Sequence, residues 1–176
     1  MKPPRKKRAA EIINDHRQRH SPLSDGFVLF AHNIRSLHNV GAFFRSVDGF
    51  GAHSLILSGY TPCPPSPAIS KTALGAESWV TWKHTNDPVD TLSELRRNGY
   101  LLCGLEQTDQ SLLLHEYTPP HGKICLVLGN EVTGLSEELI PLMDTLVEIP
   151  QFGHKHSLNV SVAAGVALYG FLVKLS

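Results

Sequence analysis

Gly26-Phe-Val-Leu-Phe-Ala31, followed by Asn33-Ile-Arg-Ser-Leu-His-Asn-Val-Gly-Ala-Phe-Phe-Arg45, decides the fold class. The first stretch is an unbroken apolar run and reads as a buried strand. Over residues 38–50, Val40, Phe43, Phe44, Val47 and Phe50 recur at helical spacing, and Gly51 supplies a stop. A buried strand that passes through a polar turn into an amphipathic helix is the repeating unit of an α/β domain.

Outward from this unit the pattern continues. Upstream, residues 5–20 predict a basic helix that ends before Ser21-Pro22. Downstream, His53 to Leu57 is a second short strand. Thr61 to Pro67 holds four prolines in seven residues and reads as loop. Trp79 to Trp82 reads as a brief strand whose two tryptophans pack, with base stacking as the alternative. Residues 88–98 predict an amphipathic helix, and Tyr100 to Leu105 a strand. Lys123 to Leu128 is a strand apolar enough to be central. A short helix over 136–142, a strand from Thr145 to Ile149 and a long apolar helix from Leu158 to Leu175 complete the chain. The alternation predicts an α/β single domain with a mostly parallel sheet and helices on both faces.

Composition narrows the function. With 176 residues, 41% hydrophobic and 18% charged, the chain suits one folded domain and not a disordered charged segment. No apolar run approaches the roughly 20 residues that span a bilayer. The opening Met-Lys-Pro-Pro-Arg-Lys-Lys-Arg has charge but no apolar stretch behind it, so no signal peptide is expected. Cys63, Cys103 and Cys125 show no CxxC spacing, which argues against a disulfide scaffold or a zinc site. A cytoplasmic protein without metal or membrane is expected.

The net charge of zero hides an asymmetry. Residues 1–25 carry Lys2, Arg5, Lys6, Lys7, Arg8, Arg17 and Arg19 against Glu11, Asp15 and Asp25. This basic N-terminal arm, residues 1–25, precedes a mildly acidic body, residues 26–176. Arg5, Lys6, Lys7 and Arg8 are candidates to contact RNA. A solubilising tail is the alternative.

In parallel α/β sheets, ligands bind beyond the carboxyl ends of the strands. Three polar segments lie there: 33–45, 128–136 and 149–161. Each concentrates Gly, Asn and charged groups where a strand hands over to a helix, so backbone amides can face a ligand. None contains GxGxxG or a Walker A loop, and Ser157 lacks a GxSxG context.

The three segments, in this order and spacing, resemble the signature motifs of the SpoU (TrmH-like) RNA 2′-O-ribose methyltransferases of the SPOUT superfamily. The first has Asn39 and Arg45, the second Gly129-Asn130-Glu131 followed by Gly134, and the third Ile149-Pro150 and Ser157-Leu158-Asn159-Val160-Ser161. The resemblance covers about residues 27–174. It implies a deep C-terminal trefoil knot, a homodimer and an S-adenosyl-L-methionine pocket formed by the knot. By that analogy Leu105, Leu128, Gly129, Asn130, Ile149, Pro150, Ser157 and Leu158 surround the cofactor. The helix from Leu158 to Leu175 helps bury the dimer interface.

The same resemblance assigns Arg45, Asn39, Glu131, Ser157 and Asn159 to catalysis, and Asn33 and Arg35 to the substrate side. Arg45 binds phosphate and stabilises the oxyanion of the ribose, since guanidinium, with a pKa above ~12, is a poor base. Asn39, Ser157 and Asn159 orient ribose, phosphate or the arginine. Glu131 serves binding and placement, and a helix-capping role is its alternative. Ser157 and Asn159 can also cap the last helix. His154, Lys155 and His156 form a cationic loop, and His32 and His38 read as ordinary histidines. Structured RNA is the expected substrate, tRNA favoured over rRNA. The alternatives are a non-catalytic RNA-binding protein on the same fold, a base-methylating SPOUT enzyme and an unrelated nucleotide-binding α/β enzyme.

Overall fold

The computed structural model describes residues 3–176, so Met1 and Lys2 lie outside the described residues. Its strands are β1 (Phe27–His32), β2 (Ser54–Ser58), β3 (Trp82–Thr85), β4 (Leu101–Leu105), β5 (Leu112–Leu113), β6 (Ile124–Leu128) and β7 (Thr145–Glu148). They form one sheet in the order β3-β2-β1-β6-β4-β7-β5. Every pairing is parallel. The central strand β6 is buried throughout, flanked by β1 (Val127 opposite Phe30) and β4 (Leu126 opposite Cys103). Both β1 and β6 are continuous apolar runs because both of their faces are covered.

The helices are α1 (Ala9–Arg17), α2 (Leu37–Phe50), α3 (Pro67–Ala73), α4 (Pro88–Arg97) and α5 (Val160–Leu175). On one face, Leu29 and Leu126 pack with Phe43, Phe44 and Val47 of α2 and Leu168 and Phe171 of α5. On the other, Phe30 and Val127 pack with Leu92 of α4 and Leu139. A 3₁₀ turn at Ile140–Leu142 closes that side. The strand alternation therefore produced the α/β sheet covered on both faces.

α2 begins at Ser36, whose hydroxyl accepts from the Asn39 N–H at 3.3 Å. It ends at Gly51, which adopts φ 63°. Midway, Gly41 faces α3. A Cβ there would lie 1.9 Å from Thr72 Oγ1 and 2.5 Å from the Ile69 carbonyl oxygen. The two helices touch only because this position has no side chain.

Several local expectations need correction. The proline-rich loop runs directly into α3, which the sequence reading lacks; Pro67 is the helix's first residue, where a missing N–H costs nothing. The strand expected at Trp79–Trp82 is β3, three residues later, and Trp79 is 84% exposed. Only Trp82 packs, edge-on to Phe44 with ring centroids 5.9 Å apart. The helix over 136–142 shrinks to the 3₁₀ turn. The two-residue β5 was also unforeseen.

The expected basic helix over 5–20 is the shorter α1. Its cations are partly answered within the arm: Arg5 meets Glu11 at 2.7 Å, and Lys7 pairs with Asp15. Both pairs are exposed, so they exchange readily for other anions. The three cysteines are free, with Cys103 and Cys125 buried. Among the described residues, no helix is long and apolar enough to cross a membrane, and no group of His, Cys, Asp and Glu is placed to hold a metal.

Candidate active site

At the carboxyl edge of the sheet the three polar segments meet. The turn after β6 carries Glu131, whose carboxylate lies against the start of α2. Oε2 accepts from the Arg35 N–H at 2.9 Å. Oε1 accepts from the Ser36 N–H and from Asn39 Nδ2, both at 3.0 Å. Burial opposes the charge, but these donors outweigh it and hold the Glu131 carboxyl below the ordinary glutamate range. The carboxylate also sits at the positive end of α2.

Asn39 passes the connection on. Its Oδ1 accepts from Asn159 Nδ2 at 3.1 Å. Asn159 Oδ1 in turn accepts from the Ser161 and Val162 N–H groups at 2.9 and 3.3 Å, capping α5. One chain of hydrogen bonds thus joins Glu131, Asn39 and Asn159, and through them the N-termini of α2 and α5.

Beside this network lies a cavity of about 480 Å³, lined from Leu105–Gln107, Leu128–Gly134, Glu148, Ile149, Gln151 and His156–Leu158, with Val160 and Ala163 of α5. Its size falls in the range of roughly 300–1,000 Å³ typical of small-molecule sites. Three lining residues are carboxylates, Glu106, Glu131 and Glu148, and none is Lys or Arg. Between them stand aliphatic side chains, among them Leu105, Leu128, Ile149 and Leu158, and neutral polar ones such as Asn130, Thr133 and Ser157. Such a lining favours a cationic ligand with an apolar body.

The glycines that shape the cavity are sterically required. A Cβ on Gly129 would lie 2.1 Å from the carbonyl carbon of Gly134. Gly134 has φ +70°, and a Cβ there would lie 2.1 Å from Glu106 Oε2. That close approach lets Glu106 accept from the Leu135 N–H at 2.8 Å.

Comparison with known proteins agrees with this geometry. The profile of the SpoU rRNA Methylase family matches residues 26–169. The chain belongs to the SpoU rRNA Methylase family. It is 33% identical over 145 residues to the tRNA (guanosine(18)-2′-O)-methyltransferase of Aquifex aeolicus, covering 81% of this chain and 66% of that protein. It is 33% identical over 141 residues to the 23S rRNA (guanosine-2′-O-)-methyltransferase RlmB of Neisseria meningitidis, covering 80% and 56%. The chain spans between about half and two thirds of the length of these curated relatives. Among solved structures, the AdoMet-bound rRNA methyltransferase of Sinorhizobium meliloti superposes with TM-score 0.78 at 26% identity, covering 86% of this chain and 57% of that one. The A. aeolicus TrmH/SpoU tRNA modifying enzyme superposes with TM-score 0.77 at 28% identity, covering 88% and 77%.

The SpoU motif residues do not all fall where the sequence reading placed them. Leu105, Leu128, Gly129, Asn130, Ile149, Ser157 and Leu158 line the cavity, whereas Pro150 does not. Asn130 serves as a brace as well. Its Nδ2 donates to the Asn33 carbonyl and to Tyr60 Oη, both at 2.8 Å, and its Oδ1 accepts from the Val132 N–H at 2.8 Å. Glu131 caps a helix, the reading kept as its alternative. Ser157 lines the cavity but lies outside the Glu131-Asn39-Asn159 network.

Arg45 departs most. It is exposed and lines a separate groove between α2 and α3. Six residues at 3.6 per turn place it roughly 120° around the helix from Asn39, which faces the network. Asn33 adopts φ 55° and its Oδ1 accepts from the Tyr60 N–H at 3.2 Å, a structural role. Arg35 contributes its backbone N–H to Glu131, and its side chain is exposed. His32 is a buried histidine bonded to Ser58 Oγ at 2.6 Å, with its pKa lowered by burial.

Sequence reasoning missed Glu106 and Gln107. Gln107 Nε2 donates to the His156 carbonyl at 2.8 Å, tying the loop after β4 to the loop before α5. Neither lies in a motif segment; their position just past the end of β4 was the available signal. Phe152, in the third segment, is 96% exposed and does not line the cavity.

Proposed function

We propose that this chain is an S-adenosyl-L-methionine-dependent methyltransferase that modifies a ribose 2′-hydroxyl in structured RNA, tRNA favoured over rRNA. The observation that carries the reading is the cavity lined by three carboxylates and by no Lys or Arg, beside a hydrogen-bonded network built from all three motifs. Its size, its mixture of aliphatic and neutral polar side chains and its carboxylates suit a cationic sulfonium on an adenosine body. The cofactor supplies an electrophilic methyl group on sulfur.

The protein's own residues then do three things. Glu106, Glu131 and Glu148 favour a cation in the cavity. They thereby aid binding more than the transition state, in which the positive charge is being neutralised. The Glu131-Asn39-Asn159 chain fixes the helix starts that bound the site, so Asn39 and Asn159 act as positioning residues. Glu131 is a poor proton acceptor, because its oxygens are engaged and its pKa is lowered. Arg45, supplied to the cavity by a second copy, holds phosphate and stabilises the 2′-oxygen as the hydroxyl proton passes to solvent water.

The reading includes a homodimer, a C-terminal trefoil knot and a cytoplasmic location. The exposed Val162, Val166, Tyr169 and Val173 of α5, spaced at helical intervals, support the dimer. A second copy docked there offers a way to bring an Arg45 to a cavity that it does not line within one copy. The N-terminal arm, residues 1–25, with Arg5, Lys6, Lys7 and Arg8, adds sequence-independent contacts to RNA phosphate.

The test is transfer of labelled methyl from S-adenosylmethionine to unmodified bulk tRNA and, separately, to rRNA, followed by digestion to nucleosides. A 2′-O-methylnucleoside is expected. Label on a base overturns the ribose assignment, and no label in either pool overturns the enzyme reading.

A further inference from the structure

The groove between α2 and α3, about 680 Å³ in volume, was not anticipated from the sequence. It opens one turn beyond Gly41, where the helices are in contact. Its walls include Arg45, Ser46 and Gly49 from α2 and Lys71 from α3, with Phe50 and Leu74 as apolar lips. Gly49 has open space where a side chain would stand, which keeps the groove accessible. Leu74 is 69% exposed.

The charge of this groove is opposite to that of the cavity. It holds two cations and no carboxylate. Among the described residues, neither Arg45 nor Lys71 takes part in an ion pair. Elsewhere on the chain, Arg5, Lys7 and Arg96 each have a carboxylate partner. Two exposed, unpaired cations facing one concavity, with apolar lips, match a phosphodiester backbone whose sugars and bases offer apolar faces.

Resting on the RNA-methyltransferase reading, we infer that Lys71 joins Arg45 in a phosphate-binding groove between α2 and α3 that holds the RNA backbone next to the target nucleotide. Lys71 belongs to none of the three motif segments. The Gly41 contact sets its distance from Arg45, so the spacing of the two charges is fixed by helix packing and not by a mobile loop.

The experiment compares the full-length protein with Lys71→Ala, Lys71→Arg and, as a control, Arg97→Ala, an exposed cation on α4 across the sheet. Binding to the unmodified RNA pool that the wild type methylates is measured over a range of salt. Lys71→Ala is expected to raise Kd about three- to tenfold and to lower the log–log salt slope by about 0.7–0.9, one phosphate contact. KM for RNA rises with kcat within about twofold, and S-adenosylmethionine affinity stays unchanged. Lys71→Arg retains the slope, and Arg97→Ala matches the wild type.

An unchanged slope and Kd in Lys71→Ala, with wild-type methylation intact, overturns the groove while leaving the enzyme reading standing. A loss of sedimentation mass in Lys71→Ala assigns the groove to contact between copies and likewise overturns it. No methylation by the wild type removes the reading on which the groove depends.

Discussion

Replacing Glu131 by glutamine tests whether the carboxylate, and not merely a polar side chain, holds the start of α2. Glutamine can keep a carbonyl at the position of Oε1, where the Ser36 N–H and Asn39 Nδ2 donate at 3.0 Å. Its amide then faces the Arg35 N–H, which lies 2.9 Å from Oε2, two donors oppose each other, and that N–H keeps only its longer 3.2 Å contact to the oxygen at Oε1. Losing one hydrogen bond to a charged acceptor costs about 1.5–3 kcal/mol. Losing the charge at the helix N-terminus adds about 0.3–1 kcal/mol. Glu131→Gln is therefore expected to destabilise the fold by about 2–4 kcal/mol at pH 7, a midpoint shift of about 1–2 M in urea for a slope of about 2–3 kcal/mol/M.

The pH dependence gives a second reading of the same contact. The folded state holds the Glu131 pKa below that of the unfolded chain. Its stabilisation is complete above the unfolded value of about 4.3 and fades as pH falls through the lower folded value. The gap between wild type and Glu131→Gln should stay constant from pH 8 to about 5.5 and narrow below about 4. Urea titrations followed by circular dichroism at several pH values measure it. A gap under about 0.5 kcal/mol at pH 7, or one that narrows as pH rises, would refute the capping argument.

Other substitutions probe neighbouring parts. Asn159→Ala removes the α5 cap and the bond to Asn39 and should cost about 1–2 kcal/mol in urea unfolding, with a larger relative loss of methyl transfer. Gly134→Ala forces a Cβ against Glu106 Oε2 at a left-handed φ, so calorimetric titration should show cofactor binding weakened at least tenfold. Deleting residues 2–19 should flatten the salt dependence of RNA binding without altering cofactor affinity; an unchanged slope would make the arm a solubility element.

The parts of the fold legible in sequence were those whose apolar pattern is long and unbroken. β1, β6 and α2 stood out because each buries several consecutive or periodic large side chains. α3 did not, because its start is masked by prolines and Pro67 opens the helix it seemed to exclude. Trp79 and Trp82 looked like one packed pair, but a single turn separates an exposed ring from a partly buried one that packs on Phe44.

The site was legible as a set of segments but not as a set of contacts. Glu131 and Asn39 are 92 residues apart, and nothing local marks the carboxylate as the anchor of a distant helix. Arg45 sits on the expected helix, yet its angular offset from Asn39 turns it toward another surface. Glu106 and Gln107 were invisible because a carboxylate and an amide after a strand are common, and only the fold gives them a cavity to line.

The cavity walls come from four stretches scattered between Leu105 and Ala163, and Asn159 must reach Asn39 across 120 residues. No partial chain ending before α5 can assemble this pocket, so ligand capture reports that the last helix has docked. A bound small molecule therefore acts as a completion signal for the whole domain. Its stabilising effect, RT ln(1 + [L]/Kd), falls only on molecules that have finished folding.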